Sequence, residues 1–112
     1  MIKISFYFKD DNLYRFKVKG HSGFSEHGTD IVCAGVSTLV LNTINSIDAF
    51  LEEPIELDEV NQAKGIIDCN LPARFNGNYN DQTSILLKSM IFGLTTLEQM
   101  YGEYIFIKHI EK

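Results

Sequence analysis

Residues 20–39 read GHSGFSEHGTDIVCAGVSTL, and the spacing of the apolar positions changes within them. Upstream of Gly20 the apolar residues alternate with polar ones. Downstream of Asp30 they recur every three or four positions, at Val32, Val36, Leu39, Val40, Thr43, Ile47, Phe50 and Leu51. Period two is a strand with one buried face, and period 3.6 is an amphipathic helix. Working back from Gly20, residues 13–19 alternate, with Tyr14, Phe16 and Val18 opposed to Leu13, Arg15, Lys17 and Lys19. Asp10-Asp11-Asn12 is a turn, and residues 2–9 alternate again, with Ile2, Ile4, Phe6 and Phe8 on one face. The two runs predict an antiparallel hairpin. Working forward, Asp30 suits an N-cap, with Thr29 as the alternative. The helix then runs to about Glu53 and stops before Pro54.

The remaining chain continues the pattern. Residues 55–60, IELDEV, predict a strand with Ile55 and Leu57 inward. Asn61 to Gly65 is a turn, residues 66–71 return as a strand, and Pro72 closes it. ARFNGNYND then reads as a mobile connection. A second helix is expected from about Gln82 to Tyr101, capped by Asn80 or Asp81, with Ile85, Leu86, Met90, Leu94 and Leu97 as its buried stripe and Gly102 as its stop. Residues 103–110 form a last strand. The order is β-β-α-β-β-α-β. It predicts an α+β fold, a two-layer domain with two helices packed on a five-stranded, mostly antiparallel sheet, within one domain over residues 1–112. The strand order does not follow from the sequence. Apolar residues on both faces of the last strand, and Tyr7 opposite the first strand's core, fit either a covered central strand or a face buried by a second subunit.

Bulk properties narrow the function. The chain has 112 residues, 45% of them hydrophobic and 22% charged, with a formal net charge of −5. That is an ordinary globular composition with no basic face for a nonspecific grip on nucleic-acid phosphates. Lys3, Lys9, Arg15, Lys17 and Lys19 cluster in the first nineteen residues and read as a solvated strand face. The N-terminus alternates and does not resemble a secretion signal, and no run approaches the length of a membrane span. A cytoplasmic, reducing compartment is therefore expected, with Cys33 and Cys69 unpaired. No metal-ligand spacing such as C-x-x-C or H-E-x-x-H occurs, and no cofactor is expected.

The chemistry points to one pair. Cys33 falls near the expected start of the first helix, where unpaired amides and the helix dipole favour the thiolate, and the amides of Cys33 and its neighbours are expected as oxyanion donors. His21, twelve positions earlier and just past a strand end, supplies a base if the loop folds back. Gly20, Ser22, Gly23 and Gly28 belong to that loop, which reads as a mobile cover over a peptide. Asp30 is first a helix cap and second a group orienting His21. Ser37 lies one turn beyond Cys33 on the same helix face, either bonded back to a backbone carbonyl or lining the site. Cys69, between Asp68 and Asn70 in a strand, reads as structural, and His27 and His109 as surface residues.

The segment G-H-S…G-x-D-I-V-C-A-G-V-S resembles the signature of the ribosomal-processing cysteine proteases, the Prp family, and length and element order agree over essentially the whole chain. Ser22 stands where alanine is common in that family, and Gly35 occupies its variable position. The resemblance implies Cys33 as nucleophile, His21 as general base, and Asp30 and Ser37 as supporting positions. It implies a peptide substrate, the N-terminal extension of the bacterial large-subunit ribosomal protein number twenty-seven. It further implies a homodimer whose glycine-rich loop is mobile until substrate binds. Two rivals remain on the residues alone. One is a non-enzymatic ribosome-assembly factor binding a ribosomal protein or RNA through the same loop. The other is a redox sensor at Cys33, which lacks an adjacent resolving cysteine.

Overall fold

The computed structural model describes residues 1–20, 27–61 and 65–112, with 27–30 as backbone alone. Its elements are β1 (Ile2–Lys9), β2 (Asn12–Lys19), α1 (His27–Phe50), β3 (Glu56–Asn61), β4 (Ile66–Asn70), α2 (Pro72–Phe75), α3 (Asp81–Met100) and β5 (Ile105–Glu111). The expected α+β fold is present, with one short helix added. The five strands lie in the order β3-β4-β2-β1-β5. β1–β2, β2–β4 and β3–β4 pair antiparallel, and β5 pairs parallel to β1. The sheet is therefore mixed. A parallel neighbour needs a crossover connection, and the segment from β4 through α2 and α3 supplies it.

The hairpin turn puts Asp10 and Asp11 both at positive φ, 51° and 64°, the conformation of a two-residue turn whose twist matches the flanking strands. Past it, Phe8 pairs with Leu13 and Tyr7 with Arg15, so Tyr14 is the extra residue of a bulge. This corrects the alternation expected for β2. The bulge moves Leu13 to the core side with Phe16 and Val18, and turns Tyr14 toward Tyr7 and Phe75.

One core holds the two layers together. Ile2, Ile4 and Phe6 of β1, Leu13, Phe16 and Val18 of β2, and Ile105 of β5 are buried with Val32, Val36, Val40, Ile44 and Ile47 of α1 and Leu87, Met90 and Leu94 of α3. The helices cross at two glycines. A Cβ on Gly35 would meet Leu97 at 3.3 Å, and one on Gly93 would meet Leu39 at 3.1 Å. Ile31–Phe50 is also apolar and long enough to cross a membrane, against the expectation that no run approaches that length. In this fold its apolar stripe faces the sheet. The second helix begins as expected, with the Asn80 side chain accepting from the amides of Gln82 (2.9 Å) and Thr83 (3.1 Å).

Three other expectations change. The first helix ends at Phe50 rather than Glu53, because the residue before a proline is pushed out of helical geometry and the Glu53 side chain turns inward. Leu57, expected inward, is 50% exposed, since β3 is an edge strand. The connection after Pro72 is anchored rather than loose. Pro72 starts α2, a position where its missing N–H costs nothing. Arg74 is then buried, donating from Nε to Leu13 O (2.7 Å) and from Nη2 to Ser84 Oγ (3.0 Å), with Nη1 3.8 Å from Glu53 Oε1. Arg74→Met leaves the Glu53 carboxylate buried without its counter-charge, and the expected loss is about 3–5 kcal/mol. A urea unfolding curve measures it, and a loss under 1 kcal/mol would show that the anchor is dispensable.

Candidate active site

The site begins with the register of α1 on the sheet. Val32, Val36 and Val40 point into the core, so the flank one position round, carrying Cys33, Ser37 and Leu41, runs along the edge of the buried stripe. These three residues line a cavity of about 300 Å³. It is lined as well by Ile2 of β1, Val18 of β2, Gly20, Val60 and Asn61 of β3, Gly65, and Ile66 and Ile67 of β4. Gly20 has φ +105°, and a Cβ there would collide with Met1 O, so the chain leaves β2 in a geometry that only glycine accepts.

Helix α1 starts at His27, three residues before the expected cap. Asp30 is therefore the fourth helical residue rather than the N-cap, and Gly28 belongs to the helix rather than to the loop. An acidic residue just before an apolar helical run serves equally well as a cap or as a first-turn residue facing the positive helix end, so the sequence signal is ambiguous by one turn. Cys33 becomes the seventh helical residue. The dipole effect fades beyond the first turn, and an amide in the second turn bonds the carbonyl four residues back. The amide of Cys33 is thus taken up by the helix and is not the expected oxyanion donor. Ser37 keeps its expected place one turn on, facing the same cavity.

His21, Ser22 and Gly23 lie outside the described residues. His109 stands on β5, stacked on Phe8 (ring centroids 5.6 Å, 8° apart) and edge-on to Phe6, so it serves the sheet and not the cavity. Among the described residues no group of histidine, cysteine or carboxylate side chains is arranged to hold a metal. Val60, Asn61 and Leu41 are site residues that sequence reasoning missed. Val60 read as an ordinary strand position and Asn61 as a turn, and only the strand order brings β3 across from α1.

The two cysteines differ as expected. Cys33 is half-buried, with its side chain at the cavity. Cys69 is 1% exposed, and burial, helped by the charges of Asp68 and Asp58, pushes its thiol up to about 12. At pH 8 iodoacetamide is expected to modify Cys33 in the folded protein and to reach Cys69 only in denaturant, which mass spectrometry of the labelled peptides checks. Between pH 9 and 12 the unfolded Cys69 thiol loses a proton that the folded one keeps, so this residue's contribution to stability falls as pH rises through that window.

The sequence profile of the family described as Cysteine protease Prp matches residues 1–106. The chain is similar to the ribosomal processing cysteine protease Prp of Bacillus subtilis (strain 168), at 30% identity over 95 residues, 84% of this chain and 83% of that protein. It is similar to the protein of the same name from Staphylococcus aureus, at 29% identity over 86 residues, 77% of this chain and 76% of that one. Among solved structures it is similar to S. aureus Prp, described as an essential ribosomal processing protease, in complex with a substrate peptide. The TM-score is 0.85 at 25% identity, covering 97% of this chain and 99% of that chain. SMU.848 from Streptococcus mutans superimposes with a TM-score of 0.82 at 28% identity, covering 100% of this chain and 96% of that one. A profile that spans nearly the whole sequence, on the fold of these relatives and around an accessible cysteine, means that the chain belongs to the Prp family of ribosomal processing cysteine proteases.

Proposed function

We propose that this protein is the endopeptidase that removes the N-terminal extension of the bacterial large-subunit ribosomal protein number twenty-seven in the cytoplasm, through a Cys33–His21 dyad. The observation that carries the reading is the cavity. Cys33 and Ser37 line it, and so does Gly20, the residue covalently before His21. The S. aureus relative was solved with a substrate peptide and with a covalently linked product peptide, which supports a peptide substrate here.

His21 takes the Cys33 thiol proton as Sγ attacks the scissile carbonyl carbon. The C–N bond then breaks, His21 returns the proton to the leaving amine, and water hydrolyses the remaining thioester to free the enzyme. Ser37 Oγ is the hydroxyl on the helix flank beside Cys33, and it donates to the developing oxyanion in place of the helix-bound amide. Asp30 supports His21 in this reading.

The acidic balance argues against RNA as the partner and leaves a basic ribosomal-protein segment as a suitable one. Cleavage of a peptide spanning the extension, followed by mass spectrometry, tests the reading. Cys33→Ala and His21→Ala are each expected to lower the rate by on the order of 10³-fold or more. Wild-type cutting by Cys33→Ala refutes the dyad, and tight binding of the peptide with no turnover favours the assembly-factor alternative.

We also propose a homodimer formed through the sheet face away from α1 and α3. On that face Lys3 is level with Lys19 and Phe106, and Tyr7 with Arg15 and Ile110, and Phe106 is 52% exposed. Sedimentation velocity is expected to show a dimer that Phe106→Lys weakens, and a monomer at all concentrations refutes it.

A further inference from the structure

The sheet ends in β3 on one side and β5 on the other, and the two free edges are built differently. A free edge presents amides and carbonyls that another strand can take up. β3 carries Glu56, Asp58 and Glu59 within six residues, and its register slips at Asp58. Like charges and a bulge both discourage pairing with a copy of itself. β5 has neither defence. It reads IFIKHIE, with Ile105, Phe106, Ile107 and Ile110 apolar and Lys108 balancing Glu111. Its pairing with β1 runs in step from Ile2–Ile105 to Phe8–Glu111 without a bulge. A flat, apolar, charge-balanced edge of this kind is a template for association.

Two bonds show which groups of β5 face outward. Ile2 N donates to Tyr104 O (2.7 Å), and Lys112 N donates to Phe8 O (2.8 Å). Along a strand the N–H and C=O of one residue point to the same side, and the side alternates with each residue. Tyr104 and Lys112 face β1, so Ile105, Ile107, His109 and Glu111 present their backbone groups to the open edge. Ile107 lies within that row, and its N–H is already taken. It donates to Glu98 Oε2 at 2.6 Å.

Glu98 sits in the last turn of α3. A carboxylate there faces the negative end of the helix dipole, and no basic side chain shares the turn. Among the described residues Glu98 has no ion-pair partner either. The helix gains nothing from this charge, so the Ile107 amide is what the carboxylate serves.

We infer that Glu98 is a guard on the β5 edge, holding the amide that the β5 strand of a second copy would use to join the two sheets edge to edge. An added strand is held by a continuous row of main-chain bonds. With Oε2 on the Ile107 amide, an incoming carbonyl meets a negative oxygen where it needs a donor. A second copy is the occupant that fits. Two β5 strands related by a two-fold axis set the same apolar, charge-balanced edge against itself, whereas two β3 strands set acid against acid. The contact is separate from the dimer proposed above, which uses a face of the sheet and leaves both edges unpaired.

The test compares the full-length protein with Glu98→Ala and Glu98→Gln by sedimentation velocity over a range of concentrations. Glu98→Ala is expected to form larger species than the wild type does at the same concentration. Glu98→Gln keeps an oxygen that accepts from Ile107 and is expected to match the wild type. Hydrogen exchange locates the effect. In dilute Glu98→Ala the Ile107 amide is expected to exchange about tenfold faster than in the wild type. As concentration rises, the amides of Ile107 and His109 are expected to become protected together. A Glu98→Ala protein that keeps the wild-type size, or that associates while those two amides stay open, overturns the guard. Association accompanied by a loss of protection across the whole chain, and not confined to β5, overturns it as well.

Discussion

The seam between α1 and the sheet sets the rest of this structure. Val32, Val36, Val40, Ile44 and Ile47 fall on one stripe and are buried in one core with Ile2, Ile4, Phe16 and Val18. Each such side chain is worth about 1.5–3 kcal/mol when removed from water, so the rotation of α1 about its axis is firmly determined. Once that rotation is fixed, the neighbouring flank has no freedom. Cys33, Ser37 and Leu41 must lie at the margin of the core, beside β4 and β3. The position of Cys33 is thus a by-product of where the valines have to go. The close crossing of α1 and α3 at Gly35 and Gly93 reinforces it, because Leu97 and Leu39 occupy the space that a Cβ at either glycine would need.

A second constraint holds the far side. The segment between β4 and α3 carries Arg74 into the interior, where it bonds the Leu13 carbonyl and the Ser84 hydroxyl and lies near Glu53. One side chain thereby joins the hairpin, the end of the chain after α1, and the first turn of α3. Desolvation works against the guanidinium charge and the Glu53 carboxylate works for it, with desolvation the larger. Such an arrangement gives definition more than stability, because its charged groups are costly to bury and costlier to separate. It also explains how ARFNGNYND, with its glycine and asparagines, becomes an ordered connection: a composition suited to turns says nothing about a buried arginine.

The open side of β3 joins fold to chemistry. A five-stranded sheet is wider than the two helices that lie on it, and the uncovered strip lies beside the cysteine. An edge strand at such a place offers apolar side chains on one face and backbone groups along the edge. The opposite face of the sheet is different in character. There Arg15 makes a two-pronged pair with Asp68, at 2.9 and 2.7 Å, over the Tyr7 ring, so the lysine-rich stretch of β1 and β2 is a structured surface with its own partners.

The sequence by itself determined the type of every long element, the two-layer α+β class and the protein family, and it singled out Cys33 over Cys69. Period and motif are local properties, carried by residues a few positions apart, and Asn80 could be read as a cap for the same reason. It left the start of α1 uncertain by a turn, because Asp30 satisfies a helix N-terminus as cap or as first-turn acid. It gave no sign of the bulge at Tyr14 or the anchor at Arg74, nor that Leu57, though on the core side, stays half exposed. Those depend on which strand neighbours which, and strand order is set by the packing of the whole chain. Val60 and Asn61 line a cavity with Cys33 and Leu41 only because β3 pairs outside β4. Tertiary structure alone decided the shape of the cavity, since its walls come from segments spread from Ile2 to Ile67 that share no local pattern.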